Sequence, residues 1–256
     1  MMRVVKGCDP EVFLIDANGK FISSVDKIGG SKDMPMPIDH NGNAVQEDNV
    51  TVEFNIPPCH NKIQFIENIN RNKDWIKNKA EELGLSIAIK ASAVFDDDQL
   101  QTPQAQTFGC EPDFNAWRHG EENPRPSAGN ANLRSCGGHI HIALPDGVDP
   151  LLAVQCMDLY VGCQMLEFDK DADRRQLYGK AGAFRPKSYG VEYRTASNAW
   201  IETDERISWA WDQTDRAIEH ASKGVPFTAE QAAMIQDCIN NSDLGLLAML
   251  KKEFDL

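Results

Sequence analysis

The amino-acid sequence predicts an α+β fold with a largely antiparallel sheet. Strand-like segments are grouped around turn signals such as Asn18-Gly19, the dipeptide most typical of short β-hairpins. Helical patterns are long and few, and they do not alternate regularly with strands as in a β-α-β protein. The chain shows no internal repeat of solenoid period and no composition shift that marks a boundary. We therefore expect a single domain over residues 1–256.

Composition and charge limit the classes of partner. The chain has 256 residues, of which 41% are hydrophobic and 25% charged, enough to bury a sizeable core. Its net charge of −13 repels nucleic acid and anionic membranes, so we expect neither as a partner. A polyanion such as ATP can still bind where metal ions and arginines reverse the local field.

Targeting signals and cysteine pairs are both missing from the sequence. No apolar run approaches the roughly 20 residues of a membrane-spanning helix, and the N-terminal residues lack the apolar core of a signal peptide. The seven cysteines are scattered without a C-x-x-C pair, which argues against a zinc ribbon or a thioredoxin-type motif. We expect a cytoplasmic protein with reduced thiols.

Periodicity predicts the order of the elements. Alternating β-branched and polar residues indicate strands, and apolar residues three or four apart indicate helices. Asn61 is placed to cap one helix and Gly84 to end it, whereas Pro57-Pro58 ends the strand before it. The predicted strands are 2–15, 21–22, 50–56, 85–95, 139–143 and two within 184–199, and the predicted helices are 61–84, 150–169, 203–222, 228–240 and the last dozen residues.

Two long segments have little periodicity. Residues 27–49 are rich in Gly, Pro, Asp and Asn, which predicts a surface loop with a short hairpin at Asn41-Gly42. Residues 96–135 are longer still and equally irregular. An irregular segment of this length inside a domain is usually functional, so we expect it to border a site.

A pair of histidines occupies one predicted strand. Because side chains alternate along a strand, His139 and His141 share one face while Ile140 and Ile142 share the other. A single histidine is more often a buried structural residue than a ligand. Two on one face, directly after Gly137-Gly138, favour a site that a ligand or another backbone approaches closely.

Carboxylates recur on other predicted strands. Asp9 and Glu11 are expected to point the same way from one strand, as a cation site requires, although a solvated edge strand has the same pattern. Glu53 and Asn55 likewise share a polar face, which an amphipathic strand also explains. The Gly-Cys-acid-Pro-acid sequence of residues 7–11 recurs at 109–113, where it adds Glu111 and Asp113.

Arginines and one glutamate complete the set. Glu192 and Arg194 share a strand face, and Arg185 lies on the preceding strand. Glu192 and Arg194 could form a surface ion pair worth well under about 1 kcal/mol. In a cleft, Glu192 could instead bind a metal ion, while the planar guanidinium groups of Arg185 and Arg194 bind phosphate. The chain has no Walker-type loop, no G-x-G-x-x-G and no G-x-S-x-G elbow. A nucleotide would thus have to bind through metal ions and arginines.

The order of these motifs resembles that of the glutamine synthetase and glutamate–cysteine ligase superfamily, and more closely that of the phage-encoded carboxylate–amine ligases of type 2. The resemblance implies a curved antiparallel sheet of the glutamine synthetase type, with helices on its outer face. It also implies ATP and two or three divalent cations. The matching segments are Gly7–Glu11, Val52–Asn55, Gly109–Asp113, Gly138–His141 and Tyr189–Arg194.

The resemblance implies an ATP-dependent ligase that forms an amide or isopeptide bond through an acyl phosphate. The cofactors would be ATP and Mg²⁺, or Mn²⁺ in its place. The partners would be small-molecule or peptide carboxylates and amines, in the cytoplasm of an infected host cell, with the oligomeric state left open. By position, the implied metal ligands are Asp9, Glu11, Glu53, His139 and Glu192. The implied catalytic residues are Arg185 and Arg194, which would bind phosphate, together with Glu53. His141 and Asn55 would contact the nucleotide or the substrate.

One departure and two alternatives accompany this interpretation. The first strand of glutamine synthetase proper reads Glu-x-Glu, whereas this chain has Asp9-Pro10-Glu11, so the number of metal ions is open. A metal-dependent hydrolase could use His139 and His141 with carboxylates to activate water. A non-catalytic binding protein could retain the same pocket.

Overall fold

The structure is a computed structural model that describes residues 4–106, 113–124 and 129–256. Within this part of the chain, the strands form two larger antiparallel sheets and one small one. In chain order the strands are β1 (Lys6–Cys8), β2 (Glu11–Ile15), β3 (Phe21–Ile22), β4 (Met36–Pro37), β5 (Ala44–Asp48), β6 (Thr51–Asn55), β7 (Ser86–Ala88), β8 (Ser92–Val94), β9 (Phe114–Asn115), β10 (Glu121–Glu122), β11 (Leu133–Ser135), β12 (Ile140–Ala143), β13 (Ala183–Lys187) and β14 (Gly190–Tyr193).

The first sheet has the strand order β1-β12-β14-β13-β9-β10, and the second has the order β3-β2-β6-β5-β4 with β7 also paired to β2. Strands β8 and β11 form the small sheet. Every pairing between these strands is antiparallel. The predicted α+β class with an antiparallel sheet is therefore confirmed.

Helices cover one face of these sheets. α1 packs against β5 and β6, whereas α3 packs against β13 and β14, and α5 packs on both helices. Their apolar stripes join the main core, in which Ile140, Ile142, Phe54 and Trp200 are at most 1% exposed. The helices are α1 (Lys62–Glu82), α2 (Pro103–Gln106), α3 (Pro150–Met157), α4 (Arg174–Leu177), α5 (Asp204–Ala221), α6 (Ala229–Asn240) and α7 (Leu244–Phe254).

Several predicted boundaries agree with the structure, but the predicted strand 85–95 consists of two strands, β7 and β8, and the predicted helix 150–169 is α-helical only as far as Met157. The side chain of Asn61 caps α1 by accepting from the Gln64 amide at 3.0 Å, and Gly84 follows the helix with φ +71°. The predicted hairpin at Asn41-Gly42 joins β4 and β5. The segment 27–49 is more regular than predicted, because the second strand of this hairpin, β5, covers residues 44–48. No helix of the described residues has the length and hydropathy to span a membrane.

The predicted strand over residues 2–15 is divided at Asp9-Pro10. β1 belongs to the first sheet and β2 to the second, so the chain crosses between the sheets at this point. Pro10 has no amide hydrogen to continue the β1 ladder, which accounts for the break. The expectation that Asp9 and Glu11 point the same way from one strand is therefore wrong.

A buried aspartate joins the elements behind β14. Asp158, at the end of α3, is fully buried, and its Oδ2 accepts from Trp117 Nε1 at 2.7 Å and the Gly182 amide at 2.6 Å. Its Oδ1 accepts from the Tyr193 hydroxyl at 2.8 Å and the Thr195 hydroxyl at 3.1 Å. The carboxylate thereby fixes the backbone on both sides of residue 194.

Replacing Asp158 with alanine is expected to lower the free energy of unfolding by about 3 to 5 kcal/mol, because several buried donors lose their acceptor. Urea denaturation at constant pH measures the loss. Asp237→Ala, an exposed change on α6, is the matched control and should stay within about 0.5 kcal/mol of wild type. A loss below about 1 kcal/mol for Asp158→Ala would contradict the proposed role of the carboxylate.

Burial of Asp158 also makes the stability of the fold depend on pH. Burial raises the pKa of Asp158 from 3.8 to about 6, although its hydrogen-bond donors oppose this rise. The native state then binds the proton more tightly than the unfolded state, so this contribution to stability falls as pH rises from about 4 to about 6. Asp158→Asn removes the titration. The free energy of unfolding of this variant, relative to that of wild type, should increase between pH 4 and pH 6 by about 3 kcal/mol at most. Denaturation midpoints of both proteins at pH 4 and pH 7 test this. The prediction would be contradicted if the difference between variant and wild type were the same at both pH values.

Candidate active site at the junction of the two sheets

The two larger sheets are held together beside a pair of glycines. The Glu11 amide donates to the Gly137 carbonyl at 3.0 Å, and the Gly137 amide donates to Glu11 Oε2 at 2.8 Å. A side chain on Gly138 would collide with Trp200, whose Nε1 would lie 2.6 Å from the added Cβ. Gly138 is thus required by the close approach of the Trp200 indole and the Ser197 backbone, and a Cβ on Gly137 would collide with the His139 ring.

The first group of carboxylates, which we name the acidic group, consists of Glu11, Asp48 and Glu53. One oxygen from each lies within 4.8 Å of the others. Glu11 and Glu53 are cross-strand partners on β2 and β6, and Asp48 is the last residue of β5. Gln46 Nε2 donates to Glu53 Oε1 at 2.8 Å and holds it in place.

The electrostatics of the acidic group favour a bound cation. Burial raises the pKa of Glu11 to about 8, and the negative charge of Asp48 adds to this rise. Burial also raises the pKa of Asp48. Crowded carboxylates of this kind become stable as anions when a cation lies between them, and a donor set made only of oxygen suits Mg²⁺, Mn²⁺ or Ca²⁺. The residues present therefore fit a hard divalent cation.

The second group, which we name the histidine group, consists of Asp9, His139, His141 and Glu192. Asp9 contacts both imidazoles, with Oδ1 3.2 Å from His139 Nδ1 and Oδ2 3.1 Å from His141 Nε2. Glu192 Oε1 lies 3.8 Å from His139 Nδ1. One ligand atom from each of Asp9, His141 and Glu192 falls within 4.8 Å of the others. The two histidines thus lie on one strand face, as predicted.

Burial and charge act differently on the histidine group. Burial and the nearby charge of Arg194 lower the pKa of His139 to about 4. Burial also opposes the charged forms of Asp9 and His141, but their mutual attraction outweighs it, so the pKa of Asp9 falls and that of His141 rises. His139 is therefore a neutral imidazole at neutral pH, whereas the contact with Asp9 favours the protonated form of His141.

Cationic side chains surround Glu192. Arg194 Nη1 contacts its Oε1, Arg185 Nη1 lies 3.5 Å from the same oxygen, and Lys187 Nζ lies 2.7 Å from Oε2. Burial and the charge of Asp9 oppose ionisation of Glu192, yet Arg194, His139 and Lys187 lower its pKa to about 2. This part of the junction therefore concentrates positive charge in a protein of net charge −13.

Arg194 lies between the histidine group, Asp113 and the acidic group. Its Nη1 is 3.3 Å from His139 Nδ1, and its Nε is 3.9 Å from Asp113 Oδ2. Its positive charge also acts on Glu11, where it partly offsets the rise in pKa that burial causes. Asp113 of the repeated motif, whose role the sequence left open, thus lies beside the site. Glu111, its partner in that motif, lies outside the described residues.

Two cavities open on different sides of the junction. The central cleft, about 50 Å³, is lined by Glu11, Asp48, His139 and Arg194 among others. The apolar cavity, about 460 Å³, is lined by His141, Asn55 and Tyr189 together with mostly apolar residues. The Tyr189 hydroxyl contacts His141 Nδ1. Asn55 thus lies with His141, whereas Glu53 lies in the acidic group.

Three residues of the site were not predicted from the sequence. Asp48 falls in the segment that was predicted to be irregular. Lys187 could have been found, because it lies two residues after Arg185 and thus on the same face of a strand. Arg174 has no sequence signal: its buried guanidinium donates to the carbonyls of Cys136, Arg194, Thr195 and Ala196 and fixes the backbone on both sides of the central cleft.

The comparisons with known proteins agree with the motifs. The family model for the phage phiEco32-like COOH.NH2 ligase-type 2 matches residues 120–223, less than half of the chain. This match confirms the resemblance inferred from the sequence, and it contains His139, His141, Arg185, Glu192 and Arg194. No curated protein matches the chain.

Solved structures of GmaS, γ-glutamylmethylamide synthetase, also align with the chain. The ligand-free form has 13% sequence identity and a TM-score of 0.44, over 97% of this chain and 65% of that one. A GmaS complex with ADP has 13% identity and a TM-score of 0.40, over 98% of this chain and 68% of that one. This chain thus spans about two thirds of their length.

Proposed function

We propose that this protein is an ATP- and Mg²⁺-dependent carboxylate–amine ligase that forms an amide or isopeptide bond. The observation that supports this most is the acidic group of oxygen ligands beside the cations of β13 and β14. A divalent cation and the phosphates of a nucleotide need these two environments side by side. The family match over residues 120–223 supports the same reaction class.

The reaction chemistry explains why both environments are needed. A carboxylate does not condense with an amine in water because its oxygen is a poor leaving group. A carboxylate oxygen therefore attacks the γ-phosphorus of ATP, the bond from the β,γ-bridging oxygen to that phosphorus breaks, and ADP leaves. The amine nitrogen then attacks the acyl carbon, the C–N bond forms, phosphate departs with the C–O electron pair, and the amine releases a proton to solvent.

Each group of residues has a role in this scheme. Glu11, Asp48 and Glu53 would hold Mg²⁺, which neutralises phosphate charge when bound. Arg194 and Arg185 bind the oxygens of the transferring phosphoryl group, since guanidinium forks match phosphate geometry. Lys187 adds a third positive charge at the same place. The neutral His139 accepts a hydrogen bond from Arg194 and orients the guanidinium.

The histidine group offers a second place for a cation. Asp9 Oδ1, His141 Nε2 and Glu192 Oε2 are buried and make charge contacts without hydrogen bonds of normal geometry. Buried polar atoms in this state fit a common ligand that is shared among them. Asp9 and Glu192 are the anionic ligands of this second cation in the proposal, with imidazole nitrogen from His139 or His141.

The apolar cavity fits the remaining part of a nucleotide or substrate. His141, Tyr189 and Asn55 provide polar contacts at one side, and apolar residues provide a surface for a flat or aliphatic group. The phage family match and the need for ATP support a location in the cytoplasm of an infected host cell. Its carboxylate and amine substrates are small molecules or peptides.

Turnover of ATP tests the proposal. The protein is incubated with ATP, Mg²⁺ and pools of carboxylates and amines, and ADP, phosphate and amide products are measured. We expect equal amounts of ADP and product, and only when both substrates are present. Mg²⁺-ATP at 100 times its Kd should also stabilise the fold by about 2.7 kcal/mol. The ligase proposal would be rejected if Mg²⁺-ATP did not stabilise the fold and no pool of substrates led to ADP release. Hydrolysis of a substrate without ATP would favour a metallohydrolase.

A further inference from the structure

A third cavity lies beside the central cleft, and we name it the side chamber. It has a volume of about 460 Å³ and opens between β9, residues 177–183 and α6. Leu177 and Tyr178 line both the side chamber and the central cleft. Asp113 lines the side chamber and lies 3.9 Å from Arg194, which lines the cleft. A molecule in the side chamber would therefore reach the phosphate-binding arginine.

The charges of the side chamber are separated. Asp113 is the carboxylate next to Arg194, whereas Arg118 and Lys180 are exposed cations of the lining. Neither cation forms an ion pair with an acid in the described part of the chain. Arg118 Nη2 donates only to the neutral Asn123 Oδ1, at 2.7 Å. One carboxylate is too few to hold a divalent cation. The cations are instead available to a negatively charged ligand.

Side-chain amides supply the rest of the polar lining. Asn115, Asn123, Gln236 and Asn240 all contribute to the wall, and amides both donate and accept hydrogen bonds. Peptide groups have the same capacity. A volume of about 460 Å³ lies within the usual range of small-molecule pockets, about 300 to 1,000 Å³, and leaves room for a short peptide.

We infer that the side chamber binds the amine substrate and that this substrate is a short peptide with a free amino group and a free carboxylate. The inference rests on the proposed ligase function. Asp113 faces the amino group and turns it toward the central cleft, where the acyl phosphate forms. Arg118 and Lys180 bind the carboxylate, and the amides bind the peptide groups between them.

Binding of triglycine tests the inference without turnover. Isothermal titration calorimetry compares triglycine with its C-terminal amide and its N-acetyl form, on wild type in the presence of ADP and Mg²⁺. The double variant Arg118→Ala/Lys180→Ala should bind triglycine at least tenfold more weakly, while its affinity for the C-terminal amide stays that of wild type. Asp113→Asn should lose the preference for triglycine over N-acetyl-triglycine.

The matched control is Lys77→Ala/Lys90→Ala, which removes two exposed cations elsewhere and should bind all three peptides as wild type does. Unchanged triglycine binding by Arg118→Ala/Lys180→Ala, or no triglycine binding by wild type, would overturn the inference. An ADP titration on the same samples separates the two claims. Wild type that binds ADP with Mg²⁺ but not triglycine rejects the peptide substrate alone, whereas loss of ADP binding rejects the ligase.

Discussion

Replacing Arg194 with alanine is expected to lower kcat for ADP release by about 100- to 1,000-fold. Arg194 contacts Glu192, lies 3.3 Å from His139 and lines the central cleft, so its charge is held where a transferring phosphoryl group would lie. Its side chain is only 4% exposed, which makes the charge more effective than one in water. Steady-state kinetics with saturating ATP and Mg²⁺ measure the effect.

Two further variants separate catalysis from folding. Arg71→Ala removes an arginine that is 50% exposed on α1 and should retain wild-type kcat. Arg194→Lys keeps the charge but not the planar fork, and should recover only part of the lost rate. Glu192 keeps its contacts with Arg185 and Lys187 in both Arg194 variants, so the fold should survive. A kcat for folded Arg194→Ala within fivefold of wild type would contradict the role assigned to this arginine.

Replacing Glu11 with glutamine is expected to weaken Mg²⁺ binding at least tenfold and to remove most of the Mg²⁺-dependent rise in Tm. Glutamine can still accept the hydrogen bond from the Gly137 amide, so the link between the sheets is kept. One negative charge of the acidic group is lost, and oxygen ligands bind Mg²⁺ mainly through charge. Thermal unfolding across a Mg²⁺ titration measures the change.

The control for this substitution is Glu81→Gln, an exposed position on α1. It should give the same Mg²⁺ response as wild type. The Tm of Glu11→Gln without Mg²⁺ should equal or exceed that of wild type, because repulsion between Glu11 and Asp48 is relieved. If Mg²⁺ stabilised Glu11→Gln as much as wild type, the acidic group would not be the metal site.

Local patterns predicted the elements and the face of the histidine pair. Alternation along a strand is a geometric property of the extended chain, so Ile140 and Ile142 are buried and His139 and His141 meet on the opposite side. Most of the residues proposed for the site lie at one junction for the same reason. His139, His141, Glu192 and Arg194 were singled out from their places on strand faces, and the antiparallel pairing of β12, β13 and β14 brings those faces together.

Tertiary geometry could not be predicted in the same way. Asp9 and Glu11 are two residues apart, yet they join different groups because Pro10 lies where the chain crosses between sheets. Asp48 reaches Glu11 only through the pairing of β5, β6 and β2. On α1, Phe65 is buried whereas Ile63 is 68% exposed, because the sheet beneath the helix selects the face that is buried. Such outcomes depend on contacts between distant segments.

Calorimetric titration of ADP with and without Mg²⁺ tests for a metal–nucleotide site without any knowledge of the substrates. Wild type is expected to bind ADP in the presence of Mg²⁺. Binding should be at least tenfold weaker when the metal is removed by a chelator, with a similar weakening for Glu11→Gln but not for Glu81→Gln. Absence of ADP binding, or the same affinity with and without Mg²⁺, would contradict the proposal that the acidic group and the arginines form a metal–nucleotide site.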